Sequence, residues 1–189
     1  MNKPHLVCNR LQIRLLESTE ADLAADYYTK NEGHLIQTMA EYPDDLKCSL
    51  YWKKQALDNI DDYFEDKSCR MFIFTKNGDQ IIGTVNFTDI LRWVFQGCFL
   101  GYGIDRDFVG KGLMTEALGA AIDFAFNVMN LHKILANYQP DNQSSGKLLR
   151  KLGFYEVGLA KKEIYIGGQW RDHIETRLIN PNWKNTINS

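Results

Sequence analysis

The chain has 189 residues, of which 44% are hydrophobic and 24% charged, and this composition is typical of a globular domain large enough to bury a core. A formal net charge of −2 gives no electrostatic case for nucleic-acid binding. No apolar run approaches the roughly 18 residues of a membrane span, and the N-terminus lacks a signal core. We therefore expect a single cytoplasmic domain over residues 1–189. Its core should span about 8–180, followed by a short flexible C-terminal tail.

Four cysteines are spread along the chain, at Cys8, Cys48, Cys69 and Cys98. Because they form no Cys-x-x-Cys pair, their spacing indicates neither a zinc site nor a redox motif. Reduced thiols are the expected state in a cytosolic protein, and we predict no metal site.

The first third of the chain predicts one strand and two helices. Residues 10–15 alternate polar and apolar side chains, which indicates a half-buried strand. Acidic residues after Glu17 favour a helix to about residue 29, broken by residues 31–33. Residues 35–47 have no clean period and predict a loop or a short helix. Ser49 can cap the second helix, whose apolar face is formed by Trp52, Ala56, Ile60 and Phe64.

Three consecutive strands are predicted next, at residues 70–75, 80–91 and 98–104. Asn77-Gly78 is a strong hairpin signal between the first two, and Gln96-Gly97 marks the second turn. The third strand runs directly into a loop that contains two glycines.

That loop is bracketed by Gly110 and Gly112, with Lys111 between them. The helix that follows has apolar residues at three- and four-residue spacing, namely Leu113, Ala117, Ala120, Ala121, Phe124, Ala125 and Val128. Glycines before a helix's first turn let an anion approach free N–H groups, where the helix dipole favours negative charge. The loop sequence matches neither a Walker loop nor a dinucleotide-binding fingerprint. The loop therefore indicates either a pyrophosphate seat or a plain turn in which two glycines allow tight packing.

The last part of the chain predicts a strand, a helix and a closing hairpin. The strand covers residues 134–138, and Asp141 or Asn142 caps the helix. Residues 163–166 and 170–178 form a hairpin around Gly167-Gly168, and the tail from residue 180 should fray. The predicted order is β-α-α-β-β-β-α-β-α-β-β, an α/β (α+β) domain with a mixed sheet.

Two motifs in this order resemble the GNAT family of acetyl-CoA-dependent N-acetyltransferases. Residues 109–118 resemble the family's pyrophosphate loop and following helix, and Asn142-Gln143-Ser144-Ser145 resembles its Asn-x-x-Ser segment. The resemblance covers about residues 8–180. It implies a central mixed, mostly antiparallel sheet flanked by helices, with acetyl-CoA bound at splayed strands and no metal.

Further runs resemble one branch of the family, the RimJ-type ribosomal-protein-alanine N-acetyltransferases. These runs are Ile81-Ile82-Gly83 with Asn86-Phe87, Leu100-Gly101-Tyr102, Ala136-Asn137-Tyr138 and residues 168–173. The branch implies as partner the N-terminus of a small-subunit ribosomal protein or the ribosome. It implies no direct nucleic-acid contact, no membrane, and a monomer or homodimer. The alternatives are acetylation of a small-molecule amine, such as a polyamine or an antibiotic, and a non-catalytic acyl-CoA sensor.

The resemblance also implies the cofactor-binding residues, which are Tyr102, Gly103, Ile104, Gly110, Lys111, Gly112, Leu113, Met114, Thr115, Asn142 and Ser145. Backbone N–H groups at the end of the 98–104 strand should stabilise the oxyanion, and Gly101 and Gly103 permit a bulge that would free them. The alternative is that these two glycines only pack beneath the helix.

Ser145 is the candidate that protonates the departing thiolate, unless it only satisfies its own helix. Glu116 and Asp172 are the candidate bases, with His173 and Asp89 as weaker ones. Two positions depart from the family pattern: Asp107 stands where many members have Gln or Arg, and Leu149 where many have a tyrosine acid. Peptide recognition is expected from residues 35–47 with Tyr42 and from residues 168–173, and Trp93 and Phe95 form either a binding lip or core.

Overall fold

The structure is a computed structural model that describes residues 2–36, 39, 43–185 and 187. The described residues form eight strands: β1 (His5–Val7), β2 (Leu11–Arg14), β3 (Cys69–Thr75), β4 (Ile81–Leu91), β5 (Gly97–Ile104), β6 (Lys133–Tyr138), β7 (Tyr155–Ile166) and β8 (Gln169–Ile179). They also form four α-helices: α1 (Ala21–Leu35), α2 (Ser49–Phe64), α3 (Leu113–Asn127) and α4 (Gln143–Lys151). Single 3-10 turns lie at Ser18–Glu20, Asp44–Lys47 and Arg106–Phe108.

All the described strands join one sheet in the order β1-β2-β3-β4-β5-β6-β8-β7. Neighbouring strands are antiparallel except for β5 and β6, which pair in parallel only from Gly97 to Phe99 on β5 and from Lys133 to Leu135 on β6. Beyond these pairs the two strands diverge. The predicted mixed, mostly antiparallel sheet is confirmed, and the split between β5 and β6 is the feature that positions the site.

The sheet is covered on two faces, which we name after the helices α1 and α3. Consecutive strand residues point to opposite faces. On β3, Ile73 packs into the buried cluster that contains Leu118 of α3, whereas Phe74 packs into the cluster that contains Trp52 and Ala24. Helix α4 joins the α3 face through Leu149. The two clusters fix the sheet between two helical layers.

Helix α1 is longer than predicted, because residues 31–33 continue it instead of breaking it. Asn31 is fully buried, and its Nδ2 donates to the Tyr27 carbonyl oxygen at 2.9 Å. Its Oδ1 accepts from the backbone N–H of Arg106 at 3.0 Å. Gly33 lies exposed inside the last turn. A tertiary contact therefore outweighs the unfavourable local helix propensity of Asn and Gly.

Helix α2 differs from its prediction at both ends. Cys48 holds the N-cap position and Ser49 is the first helical residue, without a side-chain capping bond. Tyr63 is buried on the inner face, while Phe64 is 50% exposed. Between α1 and α2, the described residues include the 3-10 turn at Asp44–Lys47. The predicted recognition residue Tyr42 lies outside the described residues.

The two chain ends also depart from the sequence-based expectations. Strand β1 was not predicted, and β7 begins at Tyr155, well before the predicted hairpin. The segment after β8 is packed rather than frayed: Nδ2 of Asn180 donates to the Leu131 carbonyl at 3.0 Å, and Nε1 of Trp183 donates to the Asn130 carbonyl at 3.1 Å. The side-chain N–H groups of Asn180 and Trp183 satisfy backbone carbonyls and hold this segment against the end of α3.

Within the described part of the chain, none of the helices combines the length and hydrophobicity that a bilayer crossing requires. The same residues contain no group of three or more histidine, cysteine, aspartate or glutamate side chains arranged to hold a metal ion.

Candidate active site at the split in the sheet

A cavity of about 770 Å³ opens where β5 and β6 diverge, a volume typical of small-molecule sites. Toward the α3 face its described lining is Leu100, Tyr102, Ile104, Phe108, Val109, Gly110, Gly112, Leu113, Met114, Thr115, Tyr138, Asp141, Asn142, Ser144, Ser145 and Leu148. Toward the α1 face it is Tyr27, Tyr28, His34, Leu35, Met39, Thr84, Asn86, Gly101, Gly103, Asn137 and His173, with Gln139 at the rim. The cavity thus reaches both faces of the sheet.

The predicted phosphate loop forms the α3 end of the cavity. Gly110 and Gly112 adopt left-handed backbone conformations with φ of 77° and 73°, which a residue with a Cβ adopts only at a cost. Gly112 is the N-cap of α3 and has no side-chain capping bond. The first N–H groups of α3 therefore face the cavity with the positive end of the helix dipole, an arrangement suited to a pyrophosphate.

Every predicted cofactor-binding residue except Lys111 lines this cavity. The Lys111 Nζ lies 4.9 Å from the centre of the Phe108 ring. Its carbonyl accepts a hydrogen bond from Nη1 of Arg10 at 2.9 Å. The loop therefore offers the cavity its backbone N–H groups, and the lysine is not among the described lining residues.

Glu116 fastens the first turn of α3 to the N-terminal part of the chain. Its two carboxylate oxygens accept from the backbone N–H and the Nε of Arg10, at 2.9 and 2.7 Å. Burial acts to raise the pKa of Glu116, but these hydrogen bonds outweigh it and the pKa is lowered. The residue lies outside the described cavity lining. This is the structural role that a carboxylate at a helix N-terminus can fill without any catalysis.

Asp105 anchors the start of the loop to α1. Its side chain is almost fully buried, and Oδ2 accepts from Lys30 Nζ at 2.7 Å while Oδ1 accepts from the Asp107 N–H at 2.8 Å. Burial acts to raise the pKa of Asp105, but the bonds from Lys30 and Asp107 lower it overall. The Asp107 carboxylate pairs with the same Lys30 at 2.7 Å. Asp107, which departs from the family pattern, is therefore neutralised by α1.

The predicted bulge at Gly101 and Gly103 is wrong. The β4–β5 ladder is regular over the described pairs from Phe99 to Ile104, with Gly101 opposite Asn86, and the register shifts only near Leu91. A bulge is unnecessary because β6 turns away from this edge after Leu135, so the donors of β5 beyond Leu100 already lack a strand partner.

The hydrogen-bond pattern shows which donors on β5 face the gap. Asp105 N–H donates to the Ile82 carbonyl at 2.8 Å. Residues of an antiparallel ladder alternate between pointing at the partner strand and pointing away from it. The alternation therefore turns the N–H groups of Leu100, Tyr102 and Ile104 away from β4. The last parallel pair, Phe99 with Leu135, uses the Leu100 N–H as a donor to β6, so the N–H groups of Tyr102 and Ile104 are the ones that face the cavity.

Tyr102 and Ser145 form a pair of hydroxyl groups inside the cavity. The Tyr102 hydroxyl is hydrogen-bonded to Ser145 Oγ, and burial raises the pKa of Tyr102 to about 12. Asn142 caps α4 by accepting from the Ser145 N–H at 3.1 Å. The serine is thus held at its backbone by one neighbour and at its hydroxyl by another, and the tyrosine stays protonated near neutral pH.

The position of α4 depends on close packing against Tyr138. A Cβ at Gly146 would lie 2.8 Å from the Tyr138 ring, nearer than real contacts allow. The Tyr138 hydroxyl donates to Glu156 at 2.9 Å, and Arg150 pairs with the same carboxylate at 2.6 Å. Leu149, where many family members have a tyrosine, is 1% exposed in the core.

On the α1 face, polar side chains enter the cavity from separate elements: Asn86 from β4, Asn137 from β6 and His173 from β8. His173 is 4% exposed, and its Nδ1 lies 3.1 Å from the Arg171 carbonyl oxygen. Tyr28 covers this region from α1. The region combines amides, an imidazole and aromatic rings, which suits a small polar group such as an amine.

Two further candidate bases are placed away from the cavity. Asp172 accepts from the Lys162 N–H at 2.8 Å, at the irregularity between β7 and β8. Asp89 is exposed at a positive φ of 50°, near the register shift of β4. Trp93, at the turn that follows, is 75% exposed.

Sequence reasoning missed the contacts between distant segments. Lys30 lies 75 residues from Asp105, and Arg10 lies 106 residues from Glu116. No local pattern marks such ion pairs. A weak signal existed for Asn86 and Asn137, since an amide inside an otherwise apolar strand needs a partner when buried.

Comparisons with known proteins agree with this arrangement. The acetyltransferase (GNAT) domain model matches residues 10–155. The [ribosomal protein uS5]-alanine N-acetyltransferase of Escherichia coli (strain K12) is 39% identical over 96% of this chain and 93% of that protein. The crystal structure of ribosomal-protein-S5-alanine acetyltransferase from Vibrio fischeri matches with a TM-score of 0.92 and 35% identity, over 96% of this chain and 100% of the other.

A more distant relative acts on a small molecule. Spermidine N(1)-acetyltransferase of Escherichia coli (strain K12) is 32% identical over 62% of this chain and 62% of that protein. The family match spans most of the chain, and the first relative covers nearly all of it. The chain belongs to the GNAT family and is an N-acetyltransferase.

Proposed function

We propose that the protein transfers the acetyl group of acetyl-CoA to the N-terminal alanine α-amine of a small-subunit ribosomal protein. One observation carries the reaction: a single cavity passes through the split between β5 and β6, with a phosphate-type loop at one end and polar side chains at the other. The close similarity to uS5-alanine N-acetyltransferases supports the choice of acceptor.

The donor substrate fits the α3 side. Backbone N–H groups at the start of α3, with Gly110 and Gly112, would hold the pyrophosphate of acetyl-CoA. The diverging edge of β5 offers unpaired backbone groups along which the pantetheine arm would lie, and Asn142 lies beside it on α4. This route brings the thioester to the split in the sheet.

Residues at the split would stabilise the charges that form. The N–H groups of Tyr102 and Ile104 face the gap, and one or both would donate to the thioester oxygen as it becomes negative. Ser145 would give its hydroxyl proton to the departing thiolate, with the Tyr102 hydroxyl bonded behind it. We assign no proton transfer to Glu116 or Asp172, because their carboxylates are engaged elsewhere.

The acceptor fits the α1 side. An α-amine has a pKa near 8, so a useful fraction is neutral at pH 7, whereas a lysine amine near 10.4 is almost wholly protonated. The cavity can therefore depend largely on positioning to accelerate attack by an α-amine. Asn86 and Asn137 line this side of the cavity and would orient it.

The second candidate is a small-molecule amine such as a polyamine. It is favoured by the relationship to spermidine N(1)-acetyltransferase. Incubation of the protein and acetyl-CoA with an alanine-starting peptide, and separately with spermidine, distinguishes the two by the release of free CoA. If no amine caused release of CoA, the remaining hypothesis would be a non-catalytic acyl-CoA sensor.

The cellular test is intact-mass analysis of small-subunit ribosomal proteins with and without the gene. We expect one protein to lose about 42 Da, one acetyl group, at its N-terminus when the gene is absent. Unchanged masses for every ribosomal protein would overturn the ribosomal assignment.

The proposed proton donor is tested separately. We expect Ser145→Ala to lower turnover by about 10-fold to 100-fold while acetyl-CoA affinity changes little, because the hydroxyl acts only as the C–S bond breaks. Tyr102→Phe keeps the ring and removes the hydrogen bond to Ser145, and should give a smaller loss. Unchanged turnover in Ser145→Ala would remove this serine from the reaction.

A further inference from the structure

We propose that His173 is the base that removes a proton from the acceptor's ammonium group. The inference rests on the proposed acetyl transfer and deepens it by assigning the deprotonation step to one atom, His173 Nε2. Three observations carry it: the position of the residue across the sheet, the hydrogen bond that fixes its tautomer, and the engagement of other candidate bases elsewhere.

His173 lies level with the thioester end of the cavity. Tyr138 on β6 pairs with Ile174 on β8. When the parallel register of β5 and β6 is extended past its last pair, Tyr102 lies in the same transverse row. His173 is adjacent to Ile174 on β8. It is therefore one residue away from the row that contains Tyr102, whose hydroxyl contacts the proposed proton donor Ser145.

Its side chain lies on the acceptor side. Ile174 packs against the core cluster of the α3 face, and successive strand residues alternate between faces. The His173 ring therefore lies on the α1 face, where it lines the cavity together with Asn86 and Asn137. The proposed acid and the proposed base thus approach the reacting carbon from opposite faces of the split sheet.

One hydrogen bond fixes the tautomer of the ring. The Arg171 carbonyl oxygen lies 3.1 Å from Nδ1 and can only accept, so in the neutral ring Nδ1 carries the hydrogen. The lone pair then resides on Nε2, the nitrogen left available to the cavity. A neutral imidazole held in this tautomer can take a proton from an ammonium group.

Few charged or titratable side chains surround His173. Its nearest same-face neighbours on β8 are Arg171 and Glu175, and Ala160 lies opposite on β7. Across the cavity, α1 presents His34 and two tyrosines, and α4 begins beyond Asp141. His34 is exposed in the last turn of α1.

Nε2 takes one proton from the ammonium, and the freed nitrogen lone pair attacks the thioester carbon. As the C–S bond breaks, the nitrogen gives a second proton to water while the sulfur gains one from Ser145, whose hydroxyl is restored from solvent. The imidazolium releases its proton to solvent with the product. In sum, an ammonium and acetyl-CoA become an N-acetyl amide, free CoA and one proton.

The test is the pH dependence of His173→Asn, because the asparagine amide can keep the bond to the Arg171 carbonyl while lacking a base. At pH 7 we expect kcat/KM for an alanine-starting peptide to fall about 100-fold. Above the α-amine pKa near 8 the deficit should shrink toward about 10-fold, since the amine is then neutral without help. Acetyl-CoA affinity and melting temperature should match the wild type, and the control His5→Asn, at an exposed histidine of β1 outside the described cavity lining, should keep the activity.

The outcomes separate this inference from the proposed function. A deficit in His173→Asn that is the same at pH 7 and pH 9.5, or no deficit at all, overturns the base assignment while acetyl transfer stands. If the wild type acetylates spermidine and not the peptide, the acceptor assignment fails, and the same variants measured on spermidine still decide the role of His173. If the wild type acetylates neither, both proposals fail.

Discussion

The two sides of the cavity are built in different ways. The α3 side comes from two continuous stretches of chain, at about residues 100–115 and 138–148, and its glycine loop and the start of α3 offer backbone N–H groups. The α1 side is assembled from α1, β4, β6 and β8, and it presents side chains. The difference suits a constant donor substrate on the first side and a variable acceptor on the second, because backbone donors are independent of residue type and side chains set specificity.

The two sides are also connected by charge. Lys30 of α1 pairs with Asp105 and Asp107 at the start of the phosphate loop. Asn31, the next residue on α1, accepts from the Arg106 N–H. The helix that covers the acceptor side therefore also holds the loop that seats the donor, and a change at these contacts should affect both.

The largest expected effect comes from a substitution that disrupts only the α3 side of the cavity, where acetyl-CoA is proposed to bind. Gly110→Val forces a β-branched residue into a left-handed conformation and places side-chain atoms where the anion would lie. We expect acetyl-CoA affinity to fall about 100-fold, as for the loss of one or two charge-assisted hydrogen bonds. Isothermal titration with acetyl-CoA measures it.

The matched control is Gly119→Ala, at a position in α3 where an added Cβ meets nothing within 4 Å. It should bind acetyl-CoA like the wild type and be slightly more stable, since Ala favours helix. Tight binding retained in Gly110→Val would contradict the phosphate-loop assignment.

A smaller effect is expected from a substitution that disrupts only the α1 side of the cavity, where the acceptor is proposed to bind. Gly101 lies opposite Asn86 on the α1 face of β5, and an added Cβ would meet no atom within 4 Å. Gly101→Ala should therefore fold normally and occupy cavity volume beside the acceptor. We expect KM for the peptide to rise about 10-fold, the effect of one methyl group in a close-fitting pocket, with little change in acetyl-CoA affinity.

Gly158→Ala is its control, because Gly158 is also a strand glycine with no atom within 4 Å of an added Cβ, and it lies on β7 away from the described cavity lining. Steady-state kinetics with both substrates varied compares the two. An unchanged peptide KM in Gly101→Ala would show that the acceptor does not reach this position.

Much of the fold follows from local sequence patterns. The glycine loop and α3 were predictable because helix periodicity, two glycines and a preceding apolar strand all agree over adjacent residues. The end of α1 was not, because Asn31 and Gly33 are poor helix formers locally and the turn is held by contacts with residues distant in sequence, such as the bond from the Arg106 N–H to Asn31. Contacts of that kind have no local signature.

The site divides in the same way. Ser145 and Asn142 could be placed by motif, since they lie three residues apart on one helix turn. The hydroxyl partner of Ser145 could not, because Tyr102 reaches it only after β5 and α4 have packed together. Likewise Glu116 carries the residue type of a base, and only the folded chain brings Arg10 to its carboxylate.

The smallest expected effect tests the connection between the two sides. Asp105→Asn keeps the side-chain shape and removes the charge paired with Lys30. We expect a loss of about 1–2 kcal/mol in the free energy of unfolding at pH 7, below that of a fully buried pair because Lys30 is partly exposed and keeps Asp107. Urea unfolding measures it, and Asp79→Asn, an exposed aspartate, is the control.

The pH dependence of that loss identifies its cause. The folded pKa of Asp105 is lowered from the ordinary value of 3.8. Its carboxylate therefore contributes stability above pH 3.8, and the contribution disappears as the pH falls below that value through the lowered folded pKa. The difference between wild type and Asp105→Asn should accordingly be constant from pH 5 to 7 and shrink below pH 4. A difference that persists undiminished at pH 2 would show that the loss comes from packing or hydrogen-bond geometry, and that charge does not join α1 to the phosphate loop.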